Sequence, residues 1–408
     1  MSNEPTSQKE FIFLVALLTA MVAMSIDTML PAIGTIASEF GVSDPNRRQY
    51  IITSFFAGMT IGTLLYGPIS DSTGRKPAIF AGLLIFLAGS ALCLFSTSFE
   101  MMLAGRALQG FGAASPRIVS MAMVRDGQGG AAMARIMSFV MSVFMLVPIL
   151  APSIGQLVLF VASWRVIFVG FIVMAVIAAI LLEVRQEETL PREKRVAFSA
   201  GNLWRAAVEF FHYPMAWGYT IAVGFIFGAF IVYLGTSQQI FAEQYEQGDL
   251  FAVWFGVFAV AIACAMIFNG RMVMRHGMRM LSKWAVRGCI LFSAVFLVLA
   301  LIYAGHPPLW TLGLYLFATF FCCGILFGNY NAMAMEPVGH IAGMAAAISG
   351  TLSSIVAIPI GAWIGQMYDG TIMPLVYGYL SMGMLAFLLS EWVEWAKRKR
   401  VKNPRLVD

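Results

Sequence analysis

Residues 66–77 read YGPISDSTGRKP, a polar, glycine-rich stretch with three full charges set between two long apolar runs. The chain around it is 60% hydrophobic, with only 12% charged residues among 408 and 33 phenylalanines. That is the profile of a polytopic membrane protein, because a soluble chain of this length needs polar surface on two or three domains. In such a chain the cluster Asp71, Arg75 and Lys76 reads as a turn at the membrane surface.

Working outward at about 20 apolar residues per crossing, twelve candidate spans fall near 11–37, 50–70, 78–97, 99–123, 133–160, 164–183, 214–240, 250–272, 280–304, 309–333, 341–366 and 371–390. The expected fold is all-α and polytopic, with twelve transmembrane helices in two six-helix bundles related by a pseudo-two-fold repeat. The longest polar interruption separates the bundles six and six. The expected organisation is an N-terminal bundle over 1–184, a cytoplasmic linker over 185–211, partly an amphipathic helix on the membrane, and a C-terminal bundle with a basic tail over 212–408. The N-terminus, Met1 to Glu10, lacks the basic start and cleavage site of a secretory signal, so the first span is expected to stay in the mature protein. The five cysteines lie inside apolar runs with no CxxC or Cys/His spacing, which suggests neither disulfides nor a metal cluster.

Lysines and arginines counted by loop set the orientation. With the N-terminus inside, 21 of the 26 fall on the cytoplasmic side, against Arg47, Arg48 and Arg165 outside and Arg106 and Arg117 within a span. Both termini are therefore expected in the cytoplasm, and the net charge of +5 is a matter of topology rather than of a nucleic-acid partner. The stretch 66–77 then joins spans two and three. Gly67, Gly74 and Lys76 are matched by Gly270, Gly277 and Arg279, each 203 residues on, in the turn GRMVMRHGMR of the second half. An internal duplication accounts for this, although loops rich in glycine and arginine also match by chance, and Met274 stands where Asp71 would be repeated.

Gly67 and Gly74 are expected to permit a tight reversal and close helix approach, while Arg75 and Lys76 hold the turn inside. Asp71 stands at the C-terminal end of its own helix, where the macrodipole disfavours a carboxylate, so it should find a positive partner. Arg75 and the N-terminus of span eleven near Ile341 are the candidates, with Asp126 a second acid for Arg75. An ordinary topogenic loop is the plainer reading.

The turn GPISDSTGRK (67–76) resembles the signature loop of the major facilitator superfamily, and RALQGFGAA (106–114) resembles the fourth-span motif of its proton-coupled drug antiporters. DTMLPA (27–32) and the MVRD that ends span four (123–126) are similar to the Bcr/CflA branch of drug resistance transporters. The resemblance covers essentially the whole chain. It implies a proton-coupled secondary transporter of the inner membrane that exports small compounds by alternating access, with Arg106 as the coupling arginine and Asp71 helping to latch the cytoplasmic side. The span-five motif, Pro148, Ala151, Pro152 and Gly155, is only partly kept, since Ala151 and Gln156 stand where the family pattern prefers glycine. A proton symporter, or a dedicated exporter of a metabolite or siderophore-like compound, is the alternative. An intramembrane enzyme or sensor finds no support, because no HExxH, GxSxG or GxxxxGK[ST] occurs.

Ionisable residues inside the bilayer are costly and so are functional candidates. Asp27 in span one lies between burial, which favours its neutral form, and any nearby arginine, which favours the anion; it is the expected proton site, unless it pairs permanently with an arginine to fix packing. Arg106 and Arg117 lie eleven residues apart, within about 20 degrees of one helix face, with Gly110 and Ala113 on the same stripe. Together with Gln109 they suit a span lining a polar cavity, though Arg117 also has the reach to snorkel. Two positive charges against one negative favour neutral, zwitterionic or carboxylate-bearing substrates over cations. In the second half Gln238, Asn329 and Asn331 offer hydrogen bonds to a ligand or between helices. Met133, Met137, Met141 and Met145 form a stripe in span five that suits either a plastic pocket or ordinary packing. No cofactor beyond the proton gradient is expected, and the expected partners are a small-molecule substrate, protons and lipids around a monomer.

Overall fold

With no water in the bilayer core, a spanning chain must satisfy its backbone groups internally, which a helix does within one segment. The computed structural model describes residues 8–127, 130–197 and 199–402, and every regular element among them is helical. In order these are α1 (Gln8–Asp27), α2 (Ile33–Glu39), α3 (Tyr50–Thr73), α4 (Arg75–Leu94), α5 (Phe99–Gly127), α6 (Gly130–Val161) and α7 (Arg165–Arg185). There follow α8 (Ala200–His212), α9 (Pro214–Gln238), α10 (Phe251–Ile302), α11 (Leu309–Met335), α12 (Ala342–Gly365) and α13 (Met373–Lys402), with short 3-10 and π turns between some of them. Eight stretches among the described residues are long and apolar enough to cross a membrane. Two of these, Gly248–Ile302 with 55 residues and Leu309–Gly365 with 57, are far longer than the roughly 20 residues one crossing needs.

The chain divides into two compact units, Met1–Ser199 with Phe251–Gly256, and Ala200–Leu250 with Val257–Asp408. In the first, α5 packs along both α3 and α4, α1 packs on α6, and α7 lies against α4 and α1. In the second, α9 packs against α12, α13 and α11. The expected linker is split: residues up to 199 go with the first unit, whereas α8 goes with the second.

The breaks fall where the backbone requires them. Span one, expected as one helix, stops at Asp27 and resumes as a 3-10 turn over Leu30–Ala32 before α2. Gly74 separates α3 from α4 at φ 106, ψ 161, a conformation essentially reserved for glycine. Gly277 takes nearly the same one, φ 77, ψ 154, and kinks the 52-residue α10 between the two spans expected there. Gly67 does not share in the reversal: it lies within α3, and a side chain there would meet open space. The helix α6 continues through Pro148 and Pro152; missing proline donors are tolerated when neighbours satisfy the freed carbonyls.

Helices in lipid associate by close packing at small residues rather than by a hydrophobic driving force. A Cβ on Gly58 of α3 would sit 1.8 Å from the Ala107 carbonyl oxygen, and one on Gly110 of α5 would sit 1.9 Å from that of Phe55. Backbone meets backbone at this crossing. Gly110→Val is therefore expected to destabilise the protein by about 3 kcal/mol or more, seen in detergent as a lowered thermal midpoint and loss of the monodisperse peak. Gly67→Ala should leave the midpoint unchanged.

Candidate functional site

Asp27 is the last residue of α1 and is buried, at 7% exposure. Among the described residues no hydrogen bond or ion pair reaches its carboxylate. The span-five motif packs beside it: a Cβ on Gly155 would meet the Thr28 carbonyl oxygen at 2.1 Å and Pro31 Cγ at 3.1 Å, so only glycine lets α6 come this close to the break in span one. One turn earlier Ala151 is buried with Ala23 and Val147, and Pro152 is buried and Pro148 half-buried. The alanine that departs from the family pattern thus fills a small apolar cluster. Of the methionine stripe, Met137 is half-buried, and the side chains of Met133, Met141 and Met145 lie outside the described residues.

Arg106 is fully buried. Its Nη1 donates to the Ser25 carbonyl of α1 at 3.0 Å and to Gln109 Oε1 at 2.5 Å, and its Nε donates to the Ile51 carbonyl of α3 at 3.2 Å. The guanidinium lies over the Phe55 ring, 4.5 Å from the centroid, and among the described residues Nη2 has no partner. Gln109 in turn donates to Ser90 Oγ of α4 at 2.8 Å. A charged group thus joins α1, α3 and α5, bonded two residues from Asp27 rather than to Asp27. Arg117 is different: it is exposed, and its Nη1 lies 3.7 Å from the Met59 sulfur. Between them Gly110 receives the backbone of α3 and Ala113 is fully buried, so the small residues of this stripe serve helix contact.

At the turn after α3, Arg75 is the centre. Its Nη1 donates to Asp71 Oδ1 at 2.5 Å and to Ser70 Oγ at 2.8 Å, while its Nε donates to Asp126 Oδ2, at the end of α5, at 2.7 Å. The Arg75 side chain is 7% exposed, against 22% for Asp126 and 49% for Asp71. Burial alone disfavours the cation, and the two carboxylates outweigh this, so the guanidinium stays charged. The sequence missed the other side of this arrangement. Glu188 of the linker accepts the backbone N–H groups of Arg75 at 2.9 Å and Lys76 at 3.1 Å, and that of Leu190 at 2.9 Å. Lys76 Nζ reaches Glu183 at 3.1 Å, Arg195 lies 3.8 Å from Glu188, and the Val196 N–H donates to the Asp71 carbonyl at 3.0 Å. Because Gly74 has no side chain with which to cap α4, a carboxylate 113 residues away does so, where the helix dipole favours it. The acids of EETLPREKR and the uncapped start of α4 were the only signals in the sequence.

In the second unit, Asn329 is buried and exchanges two amide hydrogen bonds of 2.9 Å with Asn269, which ties α11 to α10. Asn331 is exposed and donates to the Phe327 carbonyl of its own helix at 2.9 Å. Gln238 is half-buried at the end of α9. Arg279, two residues after Gly277, pairs with Glu336 beyond α11 at 3.0 Å and with Glu394 of α13 at 2.8 Å, and Tyr219 donates to Glu394 at 2.6 Å. Sequence spacing matched Arg279 to Lys76, but its carboxylate partners had no local signal.

A family model described as the Major Facilitator Superfamily matches residues 15–362. The chain is 29% identical over 395 residues to the MFS-type transporter YdgK of Bacillus subtilis (strain 168), covering 95% of this chain and 97% of that one. It is 27% identical over 376 residues to a bicyclomycin resistance protein homolog of Haemophilus influenzae, covering 92% and 94%. Among solved structures, the xylose transporter XylE from E. coli superposes with a TM-score of 0.73 at 12% identity, covering 94% of this chain and 97% of that one. This last likeness concerns the fold alone.

Glu188→Ala should cost about 1 kcal/mol through the lost cap and expose the linker to proteolysis after Arg192, Lys194 and Arg195, with Glu188→Gln intermediate. Limited trypsin digestion beside a thermal melt checks both; unchanged cleavage in Glu188→Ala would mean that the cap does not hold the linker.

Proposed function

The chain belongs to the major facilitator superfamily, and we propose that within it this protein is a proton-coupled exporter of small amphiphilic compounds, neutral, zwitterionic or anionic, working by alternating access. The proposed topology has twelve spans in two six-helix bundles, both termini in the cytoplasm of a bacterial cell and the protein in its inner membrane. The matching conformations of Gly74 and Gly277 support descent from one duplicated bundle; an arginine clamped between two carboxylates lies one residue after the first glycine and two residues after the second. The relative named for bicyclomycin resistance supports outward movement of a toxic compound.

The observation that carries the coupling is Asp27, a buried carboxylate without a partner among the described residues, at a helix break inside the expected bilayer. Holding an unpaired anion away from water is costly, so Asp27 takes a proton where its surroundings are dry and releases it where water or a cation reaches it. Arg106 supplies such a cation. Its Nη2 is unsatisfied among the described residues, and it is anchored at Ser25, so a small change in the break at Asp27–Met29 brings carboxylate and guanidinium together. Substrate and proton then compete for the same charge balance. The exposed Arg117 adds positive charge to the first unit, which is why anionic or neutral compounds are preferred over cations.

In everted membrane vesicles with an imposed pH gradient, an exported compound should dissipate the gradient in wild type, and the effect should fall to vesicle background in Asp27→Asn. Wild-type behaviour in Asp27→Asn would sink the proton site, and movement of the compound in the same direction as the proton would establish symport. At the cytoplasmic turn, Asp71→Asn is expected to slow transport several-fold at unchanged abundance and insertion, since Arg75 loses one of its two counter-charges. Unchanged initial rates of compound efflux in that variant would reduce the turn to a topological loop.

A further inference from the structure

The helix α8 has apolar residues on two faces. Leu203, Ala206, Ala207 and Phe210 pack into a cluster of the second unit with Ala216, Val338, Ala345 and Ile348. The other apolar stripe, Trp204, Val208 and Phe211 at helical spacing, is left at 71%, 54% and 50% exposure. Beside it runs a polar edge that includes the exposed Arg205. Along this outer face lies a shallow cleft of about 410 Å³ lined by Trp204, Arg205, Val208, Glu209, His212 and Tyr213.

The surroundings of α8 say what covers that stripe. Only Tyr213 separates α8 from α9, which belongs to a stretch apolar and long enough to cross a membrane. At the same end of the unit, Trp217 in the first turns of α9 packs on Trp392 of α13 with ring centroids 5.2 Å apart. One turn further, Trp395 is 56% exposed, with the Lys399 ammonium 5.0 Å above its ring. Exposed tryptophans beside lysine at the ends of spans mark the level of the lipid headgroups. A helix packed against that level, with an unpartnered aromatic and aliphatic stripe flanked by a cation, has the make-up of an interfacial helix.

From this we propose that α8 lies in the lipid–water interface, with Trp204, Val208 and Phe211 in the acyl boundary and Arg205 against the phosphate groups of anionic lipid. That the leaflet is the cytoplasmic one rests on the topology proposed above; the contact with lipid does not depend on what the protein transports. Anionic headgroups attract interfacial arginine and lysine, and Arg205 is accompanied on this end by Lys399 and the neighbouring basic residues of α13. The helix thereby binds the start of the second unit to the membrane plane.

The test uses the full chain reconstituted in vesicles, with no transport assay. Subtracting the emission of Trp204→Phe from that of wild type isolates Trp204 among the nine tryptophans. In phosphatidylcholine brominated near the top of the acyl chain, this difference signal is expected to be quenched, and aqueous iodide should quench it weakly. Quenching by iodide alone would place Trp204 in water, and quenching by neither would place it under protein; either overturns the proposal. Adding phosphatidylglycerol to phosphatidylcholine should raise the thermal midpoint of wild type, and Arg205→Gln should remove part of that rise. An equal rise in both proteins would overturn the role of Arg205.

Discussion

Backbone-to-backbone contact between helices is the constraint on which the first unit depends. Lipid tails are as apolar as leucine, so burying leucine against leucine gains little in a membrane, and helices hold together only where they approach closely enough for dispersion and hydrogen bonds to act. The crossing of α3 and α5 at Gly58 and Gly110 is such a place. It also explains how Arg106 can be buried at all. Only because α3 runs this near can the guanidinium reach the Ile51 carbonyl, lie over Phe55 and still touch α1 at Ser25. Packing therefore comes first, and the charge is placed by it.

Away from the bilayer centre the organising force changes to electrostatics. In each unit an arginine follows a left-handed glycine and is held by two carboxylates, one of them at or just beyond the end of the next helix. The pairs differ in exposure. Asp126 is the more buried partner of Arg75, and Glu394 is the more buried partner of Arg279. The inner contact of each clamp is the less screened of the two, while a solvated pair such as the outer one contributes under about 1 kcal/mol. The outer contact is the one that can exchange partners at little cost.

Much of this was legible because it is periodic or local. The long apolar runs, the polar turn at 67–76 and the family motifs identified a membrane-embedded chain of the major facilitator superfamily, and the i, i+4 spacing of Asp71 and Arg75 put that pair within reach. What escaped depends on the third dimension. Hydropathy is blind to the break at Asp27, because Thr28, Met29 and Pro31 do not interrupt an apolar average. Gly67 and Gly74 look alike in sequence, yet only the second has a positive φ. Asn329 was read as offering a hydrogen bond either to a ligand or between helices, and the partner it pairs with, Asn269, lies 60 residues away. Span four exchanges apolar side chains for glycines and arginines, and its glycines let α3 and α4 pack closely against it.

The cap on α4 also says where this polypeptide can be interrupted. Residues 186–196 are bound to the first unit through Glu188 and Val196, whereas α8 is packed into the second. The linker is therefore two pieces with separate attachments, joined by a few residues between 196 and 200. Co-expression of the two halves as separate polypeptides has its natural cut there. A cut placed nearer the end of α7 would leave the first half with its fourth helix open and its counter-charge stranded on the wrong fragment.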